Sequence, residues 1–360
     1  MRELLMRSQP GLQWSARRPP VSCPNIAKVF PFVLTSRGMV VRPDKASGMA
    51  DRASARRARP TDSLGATNKR AHNPPQGPPV LLKEGFVSTG PTPFFVEAGA
   101  GPGVVCLHAN ASTSSQWRSL MALLAPRFHV LAPDGHGAGK GPAWPTDRML
   151  CLRDEVDLIA PVLNRAGASP VLVGHSYGAA VALVAAVMHP DRFRALVLYE
   201  PTLFALLDAE SPPPNEADGI RQAVAAAGAA LDAGDADAAA GHFIDFWMGE
   251  GAWQRTPESR RGPIAESVRN VRGWAAALTR EPTPLSLLAR LDLPVLLMSG
   301  DASPVSSLGV TRLLAGAMPR VRTISFEGVG HMGPLTHSDL VNAAIARFLH
   351  TLDQQEESTP

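Results

Sequence analysis

Gly174-His175-Ser176-Tyr177-Gly178 follows a short apolar run, Val171-Leu172-Val173, and leads into the small-residue stretch from Ala179 to Met188. The pattern reads as strand, sharp turn and helix, with a serine at the apex. The flanking glycines have a steric reason, since a Cβ at either would collide with the neighbouring strand or helix. Such a turn lifts the hydroxyl above the sheet edge. It also aims the first backbone N–H groups of the helix at whatever the hydroxyl attacks. A bare Gly-x-Ser-x-Gly is common. The strand before it, and Ala179, Ala180 and Ala182 after it, make this one specific. The plainer alternative is a strand-to-helix turn with an N-capping serine.

Working outward, the same alternation repeats. Upstream, Thr92–Glu97 and Val104–Leu107 read as strands, the second ending at His108-Ala109-Asn110. A helix follows over 115–125, then a strand, Phe128–Pro133, ending in Asp134-Gly135-His136-Gly137. The apolar spacing of Leu152, Val156, Ile159, Val162 and Leu163 predicts a helix across 148–166. Downstream, Ala195–Tyr199 ends at Glu200-Pro201, and Pro294–Met298 ends at Ser299-Gly300-Asp301. A helix over 306–317, the strand Val321–Phe326 ending at Gly328-Val329-Gly330-His331, and a helix over 338–352 complete the pattern. Continuous apolar strands alternating with helices imply an α/β fold with a mainly parallel sheet covered on both faces. In such sheets chemistry gathers at the carboxyl ends of the strands. His108, Asn110, Asp134, Ser176, Glu200, Asp301 and His331 all fall there.

One stretch interrupts the alternation. Residues 202–290 are far longer than a crossover helix needs, and carry an Ala-rich helix near 218–231 and the aromatics Phe243, Phe246, Trp247, Trp253 and Trp274. They read as a helical cap inserted after the strand that ends at Glu200. Part of the aromatic set is expected to be ordinary helix packing. The rest would favour an apolar substrate. The core then comprises 81–201 and 291–352, with a polar, frayed tail at 353–360.

Residues 1–80 differ in kind. Residues 1–75 hold fourteen Lys or Arg and four Asp or Glu, so the net charge of +3 splits into +10 there and −7 beyond. The segment is basic, Pro-rich and without sustained periodicity, which predicts disorder. Its alternatives are an organelle-targeting presequence or an upstream extension with the natural start at Met39 or Met49. Its best apolar run, Val29–Leu34, is broken by proline and too short for a membrane span. The basic excess belongs to this segment and not to the serine-bearing domain, which excludes neither tail nor targeting but gives no reason to expect nucleic acid or membrane as a partner. The cysteines, Cys23, Cys106 and Cys151, are odd in number and widely spaced, arguing against a disulfide framework or a structural zinc site. A cytoplasmic enzyme with a small-molecule substrate is expected, its oligomeric state open.

The turn at 174–178, the His108-Ala109-Asn110 turn with Trp117 beyond it, the Asp134-Gly135-His136-Gly137 turn and Gly328-Val329-Gly330-His331 together resemble the α/β-hydrolase superfamily, over about residues 84–352. The resemblance implies Ser176 as nucleophile and His331 as its base. His108, His136, His175 and His337 are weaker rivals. The family often takes its acid from the loop after the strand at 294–298, three residues past a glycine. That slot holds Ser303, and the nearby carboxylate is Asp301. Other members take it from the preceding strand end, here Glu200, which is preferred with Asp301 as alternative. The backbone N–H groups of Tyr177 and Asn110 are the implied oxyanion donors, with His108 beside them on the substrate side. No metal or organic cofactor is implied. A serine at the apex excludes the branches that attack with aspartate, leaving hydrolysis of a small, largely apolar ester or related acyl compound. A cofactor-free lyase, perhydrolase or dioxygenase, or a ligand-binding protein without turnover, are the alternatives on the same scaffold.

Overall fold

The structure, a computed structural model, describes residues 92–357. The basic segment at 1–80 and the start of the expected core at 81–91 lie outside the described residues. Strand β1 (Phe95–Ala98) is followed by β2 (Gly103–Leu107), a 3₁₀ turn at Ser114–Trp117, α1 (Arg118–Leu124), β3 (His129–Pro133) and α2 (Leu152–Arg165). Then come β4 (Val171–His175), α3 (Tyr177–Met188) and β5 (Ala195–Tyr199). Between β5 and the next strand lie α4 (Ala205–Glu210), α5 (Asp218–Asp232), α6 (Ala236–Met248), α7 (Ala252–Arg255), α8 (Glu258–Val268), α9 (Val271–Thr279) and α10 (Leu285–Leu288). The chain ends with β6 (Val295–Gly300), α11 (Val305–Ala317), β7 (Val321–Phe326), α12 (Gly333–Thr336) and α13 (Ser338–Glu357).

The seven strands form one sheet in the order β1-β3-β2-β4-β5-β6-β7. Only β1, on β3, is antiparallel. The two faces follow from the two-residue side-chain period of a strand. In β4, Leu172 packs into the core shared with α2 and α3. Val171 and Val173 point to the opposite core, with Leu120 of α1 and Val341, Ile345 and Leu349 of α13. Both faces are therefore covered, which is why each strand reads as a continuous apolar run.

Two element ends differ from the sequence reading by four residues or more. Helix α2 starts at Leu152, four residues later than expected, because the Asp154 carboxylate accepts from the Cys151 N–H at 2.8 Å and caps the helix there. Helix α13 continues through Glu357 instead of fraying at 353. Asp353 anchors it through Arg127 at 3.0 Å and Arg194 at 2.8 Å.

The turn at 174–178 has the geometry its glycines require. Ser176 adopts φ 56°, ψ −116°, a left-handed conformation that L side chains rarely take. Its N–H donates to the Tyr199 carbonyl at 3.0 Å, tying the turn to β5. A Cβ on Gly174 would lie 2.5 Å from the Cα of Ala179, and one on Gly178 would lie 2.4 Å from the Leu107 carbonyl oxygen. Both obstacles are backbone and cannot step aside. Gly178→Ala is therefore expected to destabilise the domain by about 1–3 kcal/mol, the usual range for overpacking. At roughly 2–4 °C per kcal/mol for a domain of this size, a thermal melt reads this directly. An unchanged Tm would mean that the α3–β2 contact is looser than described.

Candidate active site

The strand ends bring the chemistry together. Among the described residues, the non-glycines with positive φ are Ala111 after β2, Ser176 after β4 and Glu200 after β5. All three lie at the carboxyl edge of adjacent strands, and strain of this kind persists where the surroundings over-determine it.

Ser176 Oγ lies 2.9 Å from Nε2 of His331, and His331 Nδ1 lies 2.7 Å from a carboxylate oxygen of Glu200. All three residues are buried. Glu200 is held on every side. One oxygen accepts from the Gly300 N–H at 2.8 Å and the Ser303 hydroxyl at 2.6 Å; the other accepts from the Ser307 hydroxyl at 2.9 Å and from His331. Burial pushes its pKa up, but the His331 hydrogen bond and charge, then Ser303 and Gly300, outweigh that and hold it below the ordinary carboxylate value. Asp301 is turned away. It is exposed and accepts from the Gly328 N–H at 2.7 Å, fastening the loop that carries His331.

Ser303 occupies the place where the resemblance leads one to seek an acid. It instead donates to Glu200, the carboxylate at the neighbouring strand end. The sequence flagged both positions but not their contact.

Beside Ser176 lie the start of α3 and, across the β2–β4 pairing, the loop after β2. Tyr177 opens α3, so its N–H has no intrahelical acceptor. Its side chain points elsewhere, with the hydroxyl donating to buried Glu155 at 3.3 Å. In the β2 loop, the Ala109 N–H donates to the Gln116 side-chain oxygen at 3.2 Å. Asn110 and Ser176 line the same cavity. His108 is not among the residues lining that cavity. Its Nε2 accepts from the Gly135 N–H at 3.1 Å and its Nδ1 donates to the Ala109 carbonyl at 2.8 Å. It fastens two loops and lines a small cavity that Asn110, Ala111 and Trp274 share with the cavity over Ser176. Asp134 is likewise structural, accepting from the N–H groups of Ser114 and Lys140.

Two neighbours of His331 were not legible as such. Trp247 of α6 stacks on its imidazole, with centroids 4.0 Å apart at 26°. His175, fully buried, donates from Nε2 to the His331 carbonyl at 2.8 Å, while Gln116 donates to its Nδ1 at 3.0 Å. Gln116 thus links the β2 loop, through His175, to the backbone of His331. The presence of His175 beside the serine was the only hint in the sequence.

Burial first, and the charge of His331 second, push the pKa of His175 well below its ordinary value. It is neutral in the folded protein. Its unfolded pKa is about 6.5, so protonation favours the unfolded chain. The stability tied to neutral His175 is present above that value and is lost as pH falls below it. Half-buried His189 adds in the same direction. Tm is expected to fall between about pH 7 and pH 5, and His175→Asn to flatten that decline. An equally steep decline in the variant would assign it elsewhere.

The cavity over Ser176 has a volume of about 1420 Å³. The cap supplies Phe243, Trp247 and Trp274 to its wall, whereas Trp253 belongs to the core. The buried Thr202 hydroxyl, on the same wall, has no hydrogen-bond partner among the described residues. Among the described residues no group of His, Cys, Asp and Glu side chains is gathered as a metal-ligand set. No helix among them is long and apolar enough to cross a membrane.

The sheet, the strained serine turn and the cap define an α/β-hydrolase-fold enzyme. The profile of the α/β-hydrolase fold matches residues 102–338, and the chain belongs to that family. It is similar to the pimeloyl-[acyl-carrier protein] methyl ester esterase of Chromobacterium violaceum, 29% identical over 72% of this chain and 98% of that protein. A shorter match, 42% identical over 28% of this chain, joins it to an epoxide hydrolase of Caballeronia sordidicola, of which it covers only 31%. A solved thermophilic esterase of Thermogutta terrifontis superposes with a TM-score of 0.57 at 22% identity, over 72% of this chain and 93% of that one.

Proposed function

We propose that the protein hydrolyses a carboxylic ester or related acyl compound through an acyl-enzyme on Ser176. The observation that carries this is the continuous hydrogen-bonded chain Ser176–His331–Glu200, opening into the cap cavity. His331 Nε2 takes the proton as Ser176 Oγ attacks the acyl carbon. The resulting imidazolium is held by Glu200, while the N–H groups of Tyr177 and Asn110 receive the negative oxygen. The imidazolium then protonates the departing alcohol. In the second half, His331 takes a proton from water as it attacks the acyl carbon, and Ser176 leaves with that proton returned. The Chromobacterium relative is named a methyl ester esterase, which supports the ester-hydrolase reading. The relatives named epoxide hydrolases share the fold, but this chain carries serine at the turn apex.

A fluorophosphonate probe tests the reading. It is expected to give one covalent adduct, mapped by peptide mass spectrometry to Ser176, with parallel loss of ester turnover. Full labelling of Ser176 with turnover intact would sink it.

A further inference from the structure

The cavity over Ser176 is charged against the trend of its domain. Residues 76–360 carry 21 Lys or Arg and 28 Asp or Glu. A cavity sampling that surface evenly would meet more carboxylates than cations. Instead Arg221, Arg255, Arg260, Arg272 and Arg280 line it, with Asp208 as the one carboxylate. Two of the arginines are neutralised from within the cap: Arg221 by Asp208 at 2.9 Å and Asp218 at 2.5 Å, Arg272 by Asp232 at 2.5 Å. The other three have no carboxylate partner among the described residues. Arg255 donates to the Glu250 carbonyl at 3.1 Å, Arg280 to the Met149 sulfur at 3.3 Å, and the Arg260 guanidinium to no group among the described residues.

These three lie at the end of α7, in α8 and just past α9, and all are exposed. The apolar lining from Phe204, Phe243, Ile244, Trp247, Trp274 and Leu278 is buried, as are Ser176 and His331. The cavity thus runs from an apolar interior at the serine to a cationic rim on the cap. Guanidinium groups bind carboxylate and phosphate oxygens through paired N–H donors.

Resting on the ester-hydrolase reading, we propose that the substrate bears an anionic group, carboxylate or phosphate, separated from the scissile acyl carbon by an apolar stretch. Arg255, Arg260 and Arg280 receive that group at the rim while the apolar stretch fills the cap interior. Because the arginines are exposed, the attraction is screened by salt.

The test uses three methyl esters of one chain length, ending in carboxylate, phosphate or a neutral amide. The anionic esters are expected to exceed the neutral one in kcat/KM by roughly tenfold at low ionic strength, and the margin to shrink as salt rises. The preferred one of the two anions identifies the group. R255Q/R260Q/R280Q is expected to bring the anionic-to-neutral ratio close to one, chiefly through KM. Arg290→Gln, an exposed charge outside the cavity, is expected to keep it. Calorimetric binding of the same compounds to Ser176→Ala protein asks the question without turnover. A ratio near one in the parent protein, an equal loss in Arg290→Gln, or equal binding of the three compounds overturns the proposal. Absence of turnover with charge-selective binding would instead sink the hydrolase reading and leave the anion site standing.

Discussion

Glu200→Gln is expected to lower kcat by about 10⁴-fold, the scale seen when a triad carboxylate becomes an amide. The geometry explains why so small a change is so costly. One carboxylate oxygen of Glu200 faces two donors, the Gly300 N–H and the Ser303 hydroxyl. A glutamine would place its carbonyl oxygen there, since its amide nitrogen cannot accept from them. The amide nitrogen would then face His331 Nδ1 and donate to it. That donation places the imidazole proton on Nε2, the atom that must accept the serine proton. Asp301→Asn, by contrast, keeps an acceptor for the Gly328 N–H and is expected to change kcat by no more than a few-fold. Steady-state kinetics on the two variants decide between the carboxylates. A large loss in Asp301→Asn with a small one in Glu200→Gln would reverse the assignment.

Ser176→Ala is expected to cost roughly 10⁴- to 10⁶-fold in kcat, because it removes the atom that carries the acyl group. The remaining activity would come from water attacking in a site that still offers oxyanion donors and a base. Alanine keeps the volume and the strained φ nearly unchanged, so the variant should fold and bind as the parent does. A Tm close to the parent's, measured alongside kinetics, separates lost chemistry from lost structure. Turnover within tenfold of the parent would end the covalent mechanism.

The sheet and the serine turn were legible because local chemistry dictates them. Gly174 and Gly178 each face backbone within 2.5 Å of where a Cβ would sit, so no other residue fits and the motif cannot hide. Strand ends were legible because a buried parallel strand is apolar until it emerges. What stayed hidden was pairing across the sheet edge. Glu200 and Ser303 are separated by 103 positions, and Gln116 and His175 by 59. No periodicity connects them, and the Glu200–Asp301 choice stayed open in the sequence for that reason. The partners of His108, the Ala109 carbonyl and the Gly135 N–H, are backbone groups that no side-chain pattern marks. Trp247 was read as part of an aromatic cap, but only the tertiary fold sets it on His331.

The strained residues at the strand ends carry a consequence for how such a protein can change. Ser176 at φ 56° and Glu200 at φ 43° hold conformations that glycine would adopt freely. Each costs the fold on the order of 1–3 kcal/mol. Stability is thus spent where reactivity is kept, and the trade runs in both directions. A descendant released from chemistry gains stability first at Ser176, through glycine, whereas Glu200 stays fixed by the four donors it accepts from. The edge that makes the enzyme active is also where it has most to gain by becoming inert.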